Sequence, residues 1–223
     1  MFDLSHWDLT IPKGNPVIVI PSPQLVAGYS DQYFKPTGGS IVFWTPVSGT
    51  STGRSDFPRT ELREAHADGK PHNWRYSEGS SSLSASLEVN QLPSVGGVIV
   101  GQIHALDNPY PLLKLSYRLE RGVGYLEVTL RNKPSDKASP VVLTYKSMPL
   151  HTRFDYAFRV SPNGQLDVDV AGLKYSTRLN SAWSKTYFYF KAGSYIPDNQ
   201  GPASEGGRLV FHDLRVGHQP VKK

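Results

Sequence analysis

The sequence predicts an all-β fold, a single-domain sandwich or jelly roll of two antiparallel sheets, on three observations. Ten or more short segments alternate apolar and polar side chains, the period of a half-buried strand. Clusters of turn residues separate them. Gly 20 and Pro 18 in 223 residues supply the punctuation that many turns need. Strands at this spacing argue for a sandwich or jelly roll and against βαβ units.

In order, the first apolar run is Ile41-Val42-Phe43-Trp44, followed by the clean alternation Leu83-Ser84-Ala85-Ser86-Leu87-Glu88-Val89. Val98-Ile99-Val100-Gly101-Gln102-Ile103-His104 starts as a buried run and ends polar. Leu113 to Leu119, Tyr125 to Leu130 and Val141 to Tyr145 come next. Phe154 to Val160, Gln165 to Val170, Tyr187 to Tyr195 and Arg208 to Val216 complete the set. Turns are expected at Arg121-Gly122-Val123-Gly124, Lys133-Pro134-Ser135-Asp136, Ser161-Pro162-Asn163-Gly164 and Gly201-Pro202-Ala203-Ser204. Asn163-Gly164 between alternating strands predicts a hairpin. Helical turns are expected only around Pro23-Gln24-Leu25-Val26, capped by Ser22, and near Ser181-Ala182-Trp183. No repeat, low-complexity tract or linker divides the chain, so residues 1–223 read as one domain.

The chain contains no cysteine, which excludes disulfide frameworks, thiolate metal sites and cysteine nucleophiles. At this length a core forms without staples. Lys+Arg 24 against Asp+Glu 19 leaves a formal charge of +5, which favours a polyanionic partner. No recognisable nucleic-acid module accompanies the charge, so nucleic acid is not the expected partner. No apolar stretch approaches the ~18 residues of a membrane span, and no membrane partner is expected. The start, Met1-Phe2-Asp3-Leu4-Ser5-His6, lacks a basic and then apolar leader. Either the chain works where it is made, or a leader has been removed and Met1 is an added start.

Three short segments carry the chemistry: Arg59-Thr60-Glu61-Leu62-Arg63, Gln102-Ile103-His104 and Lys191-Ala192-Gly193-Ser194-Tyr195. Each sets polar side chains at i and i+2, which on a strand lie on one face at roughly 7 Å spacing. If the three strands share a sheet, Arg, Glu, Gln, His, Lys and Tyr share one face. Taken alone, the first segment also reads as an exposed face with weak ion pairs, and His104 as a structural histidine. Read together, two arginines suit a carboxylate ligand, with Glu61 holding both guanidinium groups. His104 has an unperturbed pKa suited to general-base work. Beside Arg59 and Lys191 the phenolate of Tyr195 would be favoured. Tyr187 and Tyr189 are expected on the Tyr195 face, with Phe188 and Phe190 inward. Arg and Gln donors with a His and a Tyr, and no carboxylate pair, fit proton abstraction α to a carboxylate. That is β-elimination of a uronic-acid polysaccharide, with His or Tyr taking the C5 proton and Tyr protonating the departing oxygen.

The same segments, the third extended to Tyr189-Phe190-Lys191-Ala192-Gly193-Ser194-Tyr195, resemble the three signature motifs of the family-seven polysaccharide lyases, the alginate lyases. They occur in the family's order, and the resemblance spans about Phe2 to His218. It implies a β-jelly roll with a cleft across the concave sheet, acting on alginate without metal or other cofactor. It further implies Arg59 and Gln102 as carboxylate neutralisers, with His104 and Tyr195 as base and acid. In that family the tyrosine does both jobs when the geometry is syn, and the histidine is the base for the other epimer. Glu61, Arg63, Tyr189 and Lys191 match positions that bind the sugar chain. The family's third motif usually continues with Gln where this chain has Pro197, a departure that bears on substrate preference. In that family Ile in the middle of the second motif, here Ile103, is associated with acceptance of guluronate-containing blocks.

Three other readings compete. A glycoside hydrolase needs two carboxylates flanking the bond, and Asp167 with Asp169 read instead as a solvated strand face. A non-catalytic carbohydrate-binding module needs the aromatic and basic platform but not His104 with Tyr195. A lyase for another polyuronate such as glucuronan would use the same chemistry. His6, His66, His72, His151, His212 and His218 show no close ligand spacing, so no metal site is expected. The expected protein is a monomer, secreted or periplasmic.

Overall fold

The structure, a computed structural model, describes residues 2–53 and 55–221. Met1, the proposed added start, lies outside the described residues. In chain order the first seven strands are β1 (Trp7–Thr10), β2 (Val19–Ile20), β3 (Phe34–Thr37), β4 (Ser40–Pro46), β5 (Arg59–Glu64), β6 (Gly79–Gln91) and β7 (Gly97–Ala105). The next four are β8 (Leu113–Glu120), β9 (Val123–Leu130), β10 (Val141–Lys146) and β11 (Phe154–Val160). The last four are β12 (Gln165–Val170), β13 (Leu173–Arg178), β14 (Phe188–Tyr195) and β15 (Gly206–Pro220). They form an eight-stranded sheet in the order β10-β9-β8-β7-β14-β5-β1-β2 and a seven-stranded sheet in the order β13-β12-β11-β6-β15-β4-β3. Every strand pairing is antiparallel. The expected two-sheet jelly roll is the fold.

The alternation read from sequence sets which side of each sheet is buried. Ile41, Phe43 and Thr45 of β4, and Leu83, Ala85 and Leu87 of β6, face the interior. Phe43 packs against Phe34 and Phe211 with ring centroids 5.3 and 5.0 Å apart. Buried aromatics with polar handles find carbonyl partners. Tyr117 Oη donates to Met148 O at 2.7 Å, and Trp183 Nε1 donates to Asn132 O at 2.9 Å.

The Asn163-Gly164 hairpin joins β11 to β12, with Gly164 at φ +80° and its N–H donating to Ser161 O at 2.9 Å. A short helix, α1 (Ser22–Val26), and a 3₁₀ turn at Ser181–Trp183 stand where helical signals were read. Ser22 does not cap α1. It lies inside the helix and its hydroxyl donates to Ser5 O at 2.8 Å, tying α1 to the turn that precedes β1. Four strands carry no clear signal in the sequence. β1 and β2 are very short, and β3 holds Pro36, which an edge strand tolerates. β13 is an edge strand with every residue exposed or half-buried, so it needs no apolar period. Its turn, Ala171-Gly172, has φ +52° and +83°, a hairpin geometry that alanine does not advertise.

Candidate active site

The site is built on three adjacent strands, β7, β14 and β5. Register aligns their polar residues: Lys191 pairs with Arg63 on one side and Gln102 on the other, while Tyr189 pairs with His104 and Tyr195 with Arg59. All eight residues singled out in the sequence therefore lie on the outward face of one sheet. The opposite face, with Leu62, Ile103, Phe188, Phe190 and Ala192, is fully buried core. Outward does not mean exposed, however. Arg59, Glu61, Gln102 and Lys191 are themselves buried.

Gly193 makes this close packing possible. Its φ is +144°, and a Cβ there would stand 2.5 Å from Thr60 O and 2.9 Å from Glu61 Cα, both backbone atoms on β5. Gly193→Ala is expected to lower unfolding free energy by about 3 kcal/mol, from left-handed strain and overpacking together. Urea denaturation measures this, and an unchanged midpoint would rule the strain argument out.

Glu61 organises the floor. Its carboxylate accepts from Arg59 Nη1 at 3.4 Å, from Gln102 Nε2 at 2.5 Å, and from the Lys191 ammonium in a close ion pair. Burial alone would raise the Glu61 pKa, but the charges of Lys191 and Arg59 and its hydrogen bonds overcome this and hold it ionised. Lys191 goes the other way. Burial first, and then repulsion by the Arg59 guanidinium, lowers it to about 8 despite the ion pair with Glu61. The floor thus carries two cations against one anion, a surplus that suits a carboxylate ligand. Arg59 Nε is buried without a hydrogen-bond partner among the described residues, a donor left over for such a ligand.

His104 stacks on Tyr189 with ring centroids 5.2 Å apart, and its Nδ1–H donates to Ala105 O at 3.0 Å. A carbonyl only accepts, so the neutral ring keeps Nε2 as its basic nitrogen. Burial first, then the Lys191 charge, lowers the His104 pKa to about 4. The guanidinium of Arg59 lies over the ring of Tyr195, 3.9 Å from its centroid, and the Tyr195 hydroxyl bonds the Ser55 hydroxyl at 3.0 Å. The cation thus covers the ring face, and a neutral hydroxyl meets the phenol oxygen.

A cavity of about 560 Å³ opens above this floor, lined by Arg59, Gln102, His104, Tyr189, Lys191 and Tyr195. Glu61 and Arg63 do not line it. Glu61 lies beneath the lining groups. It does not hold both arginines: Arg63 turns aside to His72 O at 3.1 Å and Asn73 Oδ1 at 2.5 Å, and stacks over Tyr189 at 4.1 Å. The walls come from segments that sequence reading passed over, Thr52 with Ser55 to Phe57 and Leu106 to Pro111, together with Lys114 and Pro197. Lys114 was legible, since it alternates with Leu113 and Leu115, and register sets it opposite Gln102. A larger hollow, about 810 Å³, holds Asp155, Asp169 and Asp213 against Arg153, the wrong balance for a polyanion.

Two histidines, His72 and His218, also change meaning in three dimensions. Spacing along the chain shows no close ligand pair, yet Glu64, His72 and His218 bring one ligand atom each within 4.8 Å of one another. They sit on the inner side of β5, away from the cavity lining.

A jelly roll with a cationic cleft, a neutral imidazole and a phenol on one sheet defines a polysaccharide lyase. Residues 2–218 match the family model described as alginate lyase, and the chain belongs to that family, polysaccharide lyase family 7. Alginate lyase PA1167 from Pseudomonas aeruginosa is 42% identical over 97% of this chain and 100% of its own, with a TM-score of 0.95. Alginate lyase A1-II', a family 7 member, is 30% identical over 99% and 97%, with a TM-score of 0.86. A His/Tyr double variant of A1-II' solved in complex with substrate (GGMG) is 30% identical over 100% and 96%, also with a TM-score of 0.86. A search of curated proteins finds no match.

Proposed function

We propose that this alginate lyase cleaves its polymer through the groups lining the cavity, in the following roles. The guanidinium of Arg59 and the second amide N–H of Gln102 bind the C6 carboxylate of the sugar. That carboxylate acidifies the C5 proton, and the same donors stabilise the enolate-like charge as the proton leaves. His104 Nε2 or the Tyr195 oxygen takes the C5 proton. The electron pair forms the C4–C5 double bond, the C4–O bond breaks, and Tyr195 protonates the departing oxygen. The new chain end is a 4,5-unsaturated uronate. Tyr189 and Lys191 bind the sugar chain. Glu61 and Arg63 act from outside the cavity, Glu61 by fixing Arg59, Gln102 and Lys191 in place.

The observation that carries this reading is the convergence of Arg59, Gln102, His104 and Tyr195 on one cavity above a floor with surplus positive charge. The test is ultraviolet absorbance during incubation with mannuronate-rich, guluronate-rich and mixed alginate and with glucuronan, all in chelator. Growth of the unsaturated-uronate band with alginate supports the reading and ranks the blocks. Binding without a band would indicate a carbohydrate-binding module, and a band from glucuronan alone would move the substrate to that polymer.

The pH profile follows from two groups. His104 is neutral and base-competent above about pH 4, and Lys191 keeps its charge below about pH 8. kcat/KM is expected to plateau between these values and to fall on both sides. Lys191→Arg should move the alkaline limb upward and leave the acid limb in place. An alkaline limb unmoved by that substitution would discard Lys191 as its source. Among the described residues no helix is long and apolar enough to cross a membrane. A charged polysaccharide does not cross a membrane unaided, which supports a secreted or periplasmic enzyme, and one cleft complete within one chain supports a monomer.

A further inference from the structure

We propose that Glu64, His72 and His218 form a binding site for one divalent transition-metal ion of the zinc class, a structural site separate from the cleft. The three residues come from distant parts of the chain: Glu64 from β5, His72 from the segment between β5 and β6, and His218 from β15. The two sheets meet here, so an ion would tie the C-terminal strand and the 66–74 segment to a central strand of the catalytic sheet.

The ligand atoms are already gathered. His72 Nδ1 stands 3.1 Å from Glu64 Oε1, and His218 Nε2 makes a close contact with the same oxygen. Zinc–nitrogen and zinc–oxygen bonds of about 2.0–2.2 Å place neighbouring tetrahedral ligands about 3.3–3.6 Å apart, so small side-chain movements admit an ion. Glu64 is fully buried, while the imidazoles are about a quarter exposed (25% for His72, 26% for His218). Beside them a cavity of about 160 Å³, lined by His72, Glu78, Ser81 and His218, leaves room for a fourth ligand such as water.

The supports behind the ligands fit as well. Glu64 Oε2 accepts from Trp74 Nε1 and from Phe190 N, both at 2.9 Å, which leaves Oε1 as the coordinating oxygen. His218 Nδ1 meets Ser81 Oγ at 2.9 Å, the kind of contact that orients a metal-bound imidazole. The two imidazole rings lie 4.6 Å apart in an edge arrangement. Without metal, the same atoms are satisfied by N–H donation from both rings to Oε1. An ion takes the place of those two protons, which leave to solvent or shift to each ring's other nitrogen, and both rings then serve as lone-pair donors.

The experiment uses untagged, chelator-stripped full-length protein titrated with Co²⁺ and then Zn²⁺, followed by visible absorption and thermal unfolding. Expected are the intense bands of four-coordinate Co²⁺ saturating at one equivalent and their loss on adding one equivalent of Zn²⁺. Zinc at a hundredfold excess over Kd should raise Tm by about 5–10 °C. His72→Ala and His218→Gln should each abolish the bands and the Tm shift while keeping the wild-type circular dichroism and alginate cleavage. His66→Ala, whose ring stacks on His72 at 4.4 Å, should retain them. Binding that does not saturate at one equivalent would overturn the proposal, as would unchanged Co²⁺ bands in both ligand variants. Because chelator is present in the cleavage assay, failure of this site leaves the lyase reading untouched, and the reverse holds as well.

Discussion

Replacing Tyr195 by phenylalanine is expected to lower kcat on alginate about a thousandfold, with the fold unchanged. Positioned general acid–base groups contribute about 10²–10⁴-fold, and the phenol is the group proposed to protonate the departing oxygen. A thousandfold loss corresponds to about 4 kcal/mol in the barrier. The substitution removes one oxygen and keeps the ring beneath the Arg59 guanidinium, so binding should change little. The lost contact is the 3.0 Å hydrogen bond to Ser55, which lines the same cavity. Initial rates from the unsaturated-uronate band, with KM determined in parallel, check this. A variant within threefold of wild type would remove Tyr195 from the chemistry. His104→Asn offers a contrast, since Tyr195 as sole base on one epimer would spare that substrate and not the other.

Glu61→Gln is expected to cost about 3–5 kcal/mol of stability, the penalty for breaking a buried ion pair and leaving its partners uncompensated. Two buried cations, Arg59 and Lys191, share this one carboxylate, and Gln102 donates to it as well. The amide has the same volume but no charge, so the loss is electrostatic and leaves no cavity. Urea unfolding measures it, with kcat/KM expected to fall too as Arg59 and Gln102 lose their alignment. A loss below about 1 kcal/mol would show that solvent screens the cluster, as it does for exposed pairs.

Much of this site is legible in the sequence. Side chains alternate across a strand, so Arg59-x-Glu61-x-Arg63, Gln102-x-His104 and Lys191-x-Gly193-x-Tyr195 had to present their polar groups on one face each. The jelly roll was equally legible, because β4, β6, β8, β9, β11 and β12 bury one side and need an apolar period to do so. The elements missed were those too short to show a period, such as four-residue β1 and two-residue β2, or those that bury nothing, such as edge strand β13.

Alternation fixes a face but says nothing of which strands are neighbours. By itself the sequence determined the strand content, the polar faces and, through three ordered motifs, the family. Tertiary structure alone decided that β14 lies between β7 and β5, which brings Glu61 against Lys191 and Gln102 and turns Arg63 away toward Asn73. It also decided that Glu64, His72 and His218 meet, although 154 positions separate the first from the last. The physical reason is the same in both cases. Local periodicity is encoded by adjacent residues, whereas strand order and sheet-to-sheet contact arise from burying the whole core at once.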